Sequence, residues 1–203
     1  MQQESSSGIW EWQIVRLIIF GSLGLFSSFL VWKGFTETGL RWIIRWSIKI
    51  DVLCFFIAFG ASGFHQLMQN SFSFWLYMNR KYFGISFAIL HLIHLLALIV
   101  LQYSFHPVFE QAATFSLLAG GLAYVFTILM LLTSFERFAK MISRKSWKLL
   151  HKVGAYWIMV VFFTSYLKRV LSGEVSYWFF FILLIGVLLI RFFAFLKLKK
   201  RAI

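Results

Sequence analysis

The chain has 203 residues, 61% of them hydrophobic and 21% aromatic, with a mean hydropathy of +0.81 and only 13% charged residues. That is too little polar surface for a soluble globular domain, and a bilayer is the solvent that fits it. The formal net charge of +13 does not point to nucleic acid, because Lys and Arg lie between and beside the apolar runs, as they do around membrane spans.

A bilayer core of about 30 Å takes about 20 apolar residues as helix. Six segments approach that length: 14–33, 50–68, 82–103, 113–134, 150–168 and 176–195. With one Pro and no long Ser/Gly linker, they predict a single transmembrane domain over 1–203. The expected fold is an all-α integral membrane bundle of six transmembrane helices. The N-terminal stretch "MQQESSSGIWEW" lacks a basic leader, and no small-residue cleavage site follows the first apolar run. The first segment is therefore expected to be a retained span.

Next comes "GLRWIIRWSIKID", where Arg41, Arg45 and Lys49 recur every four residues and share one helical stripe. A short interfacial helix leading into the second span is expected there. The second span, "DVLCFFIAFGASGFHQLM", is the least apolar, and Asp51 falls at its outer edge. Gly60 and Gly63 in it, like Gly120 and Gly121 in the fourth, would allow close helix packing. Cys54, the single cysteine, reads as a small core hydrophobe. Trp10, Trp12, Trp32, Trp75, Trp147 and Trp178 fall near span ends, where interfacial aromatics belong. Most Lys and Arg fall in 137–152, at Arg80-Lys81 and after Arg191. The positive-inside rule then puts both termini in the cytoplasm.

Four of the five histidines, His65, His91, His94 and His151, lie inside predicted spans; His106 lies in a loop and reads as solvated. Intramembrane ionisable residues face a partner, a cavity or a cofactor. His91 and His94 are three residues apart and share a face, forming an outer level. His65 and His151 share an inner level, with Arg80 nearby. His94 lies about 20 Å along its helix and His151 only about 5 Å, at about 1.5 Å per residue, so depth does not pair them. The spans offer almost no carboxylate or thiolate for a bare metal ion. A flat apolar macrocycle such as haem, needing one or two axial ligands and an aromatic pocket, suits this setting better.

Two segments, "NRKYFGISFAILHLIHLLALI" and "TSFERFAKMISRKSWKLLHKVGAYWIMVVFFTSYLKR", resemble the ferric reductase-like transmembrane family. The nearest branch is the haem-binding membrane subunit of the bacterial periplasmic methionine sulfoxide reductase system. That pattern has a basic pair, a Leu-Gly-like step and a histidine ten residues after the glycine. Arg80-Lys81, Phe83-Gly84 and His94 match it. It continues with Thr-Ser after span four, a basic loop and Trp-x-x-Leu-His, matched by Thr133-Ser134, the loop, and Trp147 to His151. The resemblance covers about 45–170 of the chain. It implies haem b between spans three and five, with His94 and His151 as iron ligands and electrons crossing the membrane. The family also places a second histidine thirteen residues after the first on span five, and here that residue is Thr164. Three outcomes follow: an outer haem on His94 or His91 alone, a rewired inner haem between His151 and His65, or a scaffold without haem.

No Gly-rich nucleotide fingerprint is present, so neither a flavin nor a nicotinamide site is expected in this chain. The expected role is therefore an electron-transfer (oxidoreductase) subunit holding one or two haem b. A separate flavoprotein or quinol would be its donor, and an extracytoplasmic molecule its acceptor. The alternative is a cofactor-free partner subunit. The bilayer is the expected surrounding partner, and nucleic acid is not.

Overall fold

The computed structural model describes residues 7–106 and 114–201. No strand occurs among the described residues. In chain order they form α1 (Ser7–Lys33), α2 (Glu37–Met68), α3 (Ser71–Phe105), α4 (Thr114–Leu132), the single turn α5 (Glu136–Ala139), α6 (Arg144–Leu171), a 3-10 turn (Val175–Tyr177) and α7 (Trp178–Arg201).

Helix boundaries follow from local chemistry. Gly34 adopts φ +69° just past α1, the left-handed position where a residue without Cβ is least strained. Thr36 then caps α2, its Oγ1 accepting from the Gly39 N–H at 3.1 Å. The stretch 41–49 is not a separate interfacial helix. No Gly or Pro occurs between Gly39 and Gly60, so nothing breaks the ladder, and the basic stripe continues straight into the second predicted span. α3 starts well before 82 because Asn70 Oδ1 accepts from the Ser73 N–H at 2.8 Å, an N-cap that carries the helix through polar sequence. It ends where His106 takes φ 44° with Pro107 following. Ser143 caps α6 by accepting from the Ser146 N–H at 3.0 Å. At the other end Glu174 N bonds to Arg169 O and Gly173 N to Val170 O, a Schellman arrangement with Gly173 at φ +81°.

Among the described residues, three helical stretches are long and apolar enough to cross a membrane: Glu11–Lys33, Ser71–Phe105 and Val175–Lys200. α4 carries a shorter apolar stretch, Leu117–Leu132. α2 and α6 are long helices, but their longest runs free of Asp, Glu, Lys and Arg are 52–68 and 153–167. Large apolar side chains are exposed along the spans, among them Leu17, Phe20 and Val31 on α1 and Phe179, Ile182 and Phe195 on α7. Water would penalise such a surface and lipid does not. The architecture fits a helical membrane protein.

The helices group into two compact units. The first holds α1, α2 as far as Ala58 and α3 from Met78 onward. Its core is built from Val52, Phe55, Phe56, Ile85, Phe87 and Leu90, all buried. α1 joins through Phe29, whose ring lies 5.5 Å from that of Trp42 and 6.2 Å from that of Trp46, and through Trp12, edge-on to Tyr82 at 5.5 Å.

The second unit holds the α2–α3 turn (Phe59–Tyr77) with α4 to α7. α4 and α6 pack tightly at Gly154, where an added Cβ would lie 2.6 Å from Met130 Sδ and 3.2 Å from the Phe126 ring. Gly60 and Gly63 meet Val187 and Ile190 of α7 at 3.4 and 3.3 Å by the same measure, the close approach expected of small residues. Gly120 and Gly121 have nothing within 4 Å among the described residues, so they do not serve that purpose here. Lys197 of α7 reaches over the end of α2, donating to the Gln66 carbonyl at 2.7 Å. Those last-turn carbonyls have no partner within their own helix.

Candidate functional site

The most polar part of the first unit's interior lies between α2 and α3. Ser47 and Asp51 are one helical turn apart on α2, and His91 and His94 are one turn apart on α3. Each turn therefore presents a polar pair on one face. The pairs meet: His91 Nδ1 lies 2.7 Å from Asp51 Oδ2, and His94 Nδ1 lies 2.9 Å from Ser47 Oγ. Ser47 and Asp51 are fully buried, and His91 and His94 are buried. The two imidazoles stack with centroids 6.0 Å apart and planes 16° apart. Phe87 packs on His91 at 5.1 Å and Phe55 on Phe87 at 5.0 Å, walling the cluster with aromatics. Asp51 Oδ1 and Ser86 Oγ are buried and make no hydrogen bond among the described residues.

The hydrogen bonds assign the His94 tautomer. Ser47 Oγ lies 3.0 Å from the Ile44 carbonyl, to which it must be the donor. It therefore accepts from His94 Nδ1–H, and the His94 lone pair resides on Nε2. As a carboxylate, Asp51 accepts from His91 Nδ1–H through Oδ2. This pattern, with the proton fixed on one nitrogen by a neighbouring acceptor, prepares an imidazole for a ligand on its other nitrogen.

His151 is placed differently. Thr133 Oγ1 lies 2.7 Å from the Leu129 carbonyl and donates to it, so it accepts from His151 Nε2–H at 3.0 Å. Trp147, one turn earlier on α6, donates its Nε1–H to the Thr133 carbonyl at 2.9 Å and stacks on His151 at 4.2 Å. Thr133 thus receives α6 twice, and His151 fastens the start of α6 to the end of α4. Its Nε2 is committed to that bond, which leaves the lone pair on Nδ1, crowded by its own Cβ.

His65 braces the α2–α3 turn. Its Nδ1 lies 3.0 Å from Ser73 Oγ, and its ring stacks on Tyr77 at 5.4 Å. No hydrogen bond or ring contact links His65 to His151 among the described residues. Arg80 is exposed on α3. Thr164 is exposed and donates to carbonyls of its own helix, Val160 and Val161, at 3.1 Å. His91 and His94 are therefore the histidines that the fold brings together.

For haem, the donor set fits on one side. His94 offers a fixed ring with Nε2 as acceptor in an aromatic, buried setting. In the second unit, His151 Nε2 bonds to Thr133 and Thr164 Oγ1 bonds to its own helix. No cluster of three or more His, Cys, Asp or Glu able to hold a metal ion occurs among the described residues. Asp51 is the site residue that sequence reasoning misplaced, at a span edge instead of in the core. The signal for it was its place one turn, four residues, after Ser47, as His94 lies one turn, three residues, after His91. No family model, curated protein or solved structure matches the chain.

Proposed function

We propose that this chain is a haem b-containing electron-transfer subunit of six spanning helices, with both termini cytoplasmic, in a bacterial inner membrane. His94 is the iron ligand, and the haem is held from that side alone. When bound, haem would supply a one-electron carrier there. The chain's own residues orient and shield it: Ser47 fixes the His94 tautomer, and Phe55 and Phe87 keep the region apolar. Electrons would arrive from a cytoplasmic flavoprotein or a quinol and leave to an extracytoplasmic acceptor. The observation that carries this reading is the Ser47–His94 contact, which reserves Nε2 of a buried histidine at the position where the resemblance expects a ligand.

A second reading, a cofactor-free membrane partner subunit, is favoured by the His151–Thr133 bond. That bond gives a motif histidine a purely mechanical task. A pyridine haemochrome assay on chain purified from haem-supplied cells separates the two. About one haem b per chain supports the first reading, and none supports the second.

A further inference from the structure

A shallow apolar groove runs along the exposed face of α6, lined by Leu149, Lys152, Val153, Tyr156, Trp157 and Val160. Its two aromatic walls are held in place from behind. Tyr156 Oη accepts from Arg191 Nε at 3.3 Å, and the ring stands edge-on to Phe59 at 5.2 Å. Trp157 donates its indole N–H to the Ala119 carbonyl of α4 at 3.1 Å. The groove is thus preformed, and an occupant pays little to organise it.

One end of the groove is strongly basic. Lys145, Lys148 and Lys152 sit at intervals of three and four residues, so they share one face of α6 that continues into Tyr156 and Val160. All three are exposed, and none forms an ion pair with a carboxylate among the described residues. Glu136, the carboxylate of the preceding turn, lies 3.4 Å from Lys140 instead. Three uncompensated ammonium groups at the head of an apolar channel complement a molecule with a negative head and a hydrocarbon tail. They repel a second copy of the same basic surface.

We propose that this face is a binding site for one anionic phospholipid, with its phosphate among Lys145, Lys148 and Lys152 and an acyl chain along Val153, Tyr156, Trp157 and Val160. Basic residues near a membrane surface each favour anionic lipid by about fivefold. Three together favour it by on the order of a hundredfold before screening.

The test is native mass spectrometry of the full chain in detergent with added phosphatidylglycerol or phosphatidylcholine. The wild type should retain one phosphatidylglycerol at least tenfold more readily than phosphatidylcholine. The triple change Lys145→Gln, Lys148→Gln, Lys152→Gln should abolish that preference while helical content by circular dichroism is unchanged. Val153→Trp, which fills the groove and leaves the lysines, should lower retention of both lipids. Equal retention of the two lipids by the wild type overturns the proposal. So does a preference that survives the triple change, or a protein dimer where the lipid adduct should be.

Discussion

Replacing His91 with Phe isolates what the buried pair contributes. Phe keeps the ring that packs on Phe87 at 5.1 Å and removes the Nδ1–H that lies 2.7 Å from Asp51 Oδ2. Asp51 has no exposed surface, and its Oδ1 has no hydrogen-bond partner among the described residues. The carboxylate therefore loses its imidazole donor at a position with no exposed surface. Removing one partner of a buried pair costs about 3–5 kcal/mol. The lower end, about 3 kcal/mol, applies here, because helices unfolded within a bilayer find other polar partners. Asp51→Leu alone should cost less, about 1–2 kcal/mol, since it strands only a neutral N–H. The double change Asp51→Leu with His91→Phe removes both desolvated groups and should return to within about 1 kcal/mol of the wild type. Reversible unfolding of the full chain in mixed dodecyl maltoside and SDS micelles measures all four proteins. If His91→Phe costs less than about 1 kcal/mol, or the double variant is as unstable as His91→Phe, the pair is not the desolvated, mutually dependent unit inferred from its burial.

Other substitutions probe the rest of the framework. Thr133→Val removes the acceptor of His151 Nε2–H and should cost about 1–2 kcal/mol in the same unfolding assay, without altering any haem spectrum. Gly154→Leu drives a side chain into Met130 and Phe126 and should cost about 1–3 kcal/mol or more, seen as a lower melting temperature in detergent. Lys197→Met removes the donor to the Gln66 carbonyl. Hydrogen exchange at the last turn of α2 should then quicken by about tenfold, the equivalent of about 1.4 kcal/mol.

The apolar runs at 14–33, 82–103 and 176–195 lie within α1, α3 and the C-terminal helical stretch, because about twenty residues this apolar, with at most two charges and those near the ends, permit little but a span. Polar extensions were harder to read. The residues 71–81 look like a loop by hydropathy, yet Asn70 caps them into α3. The basic stripe of 41–49 is part of α2 because no breaker interrupts it. Helical spacing put His91 and His94 on one face, and they stack. It could not find their partners. Asp51 and Ser47 lie 40 and 47 residues away, and only the packing of α2 on α3 joins them. His151 was read for its likeness to a ligand. Its engagement with Thr133 depends on how the α4–α6 connection turns, which residue spacing alone does not specify.

The claim that His94 alone carries haem is tested most directly by dithionite-reduced minus oxidised spectra of three purified proteins: wild type, His94→Ala and His151→Ala. With His94 as the one protein ligand, its Nε2 left open by Ser47, the wild type should show a Soret shift on reduction and a broad visible band without a sharp α band. Both should persist in His151→Ala and vanish in His94→Ala, with all three eluting as folded protein. Bands that survive in His94→Ala, or that disappear in His151→Ala, would contradict it.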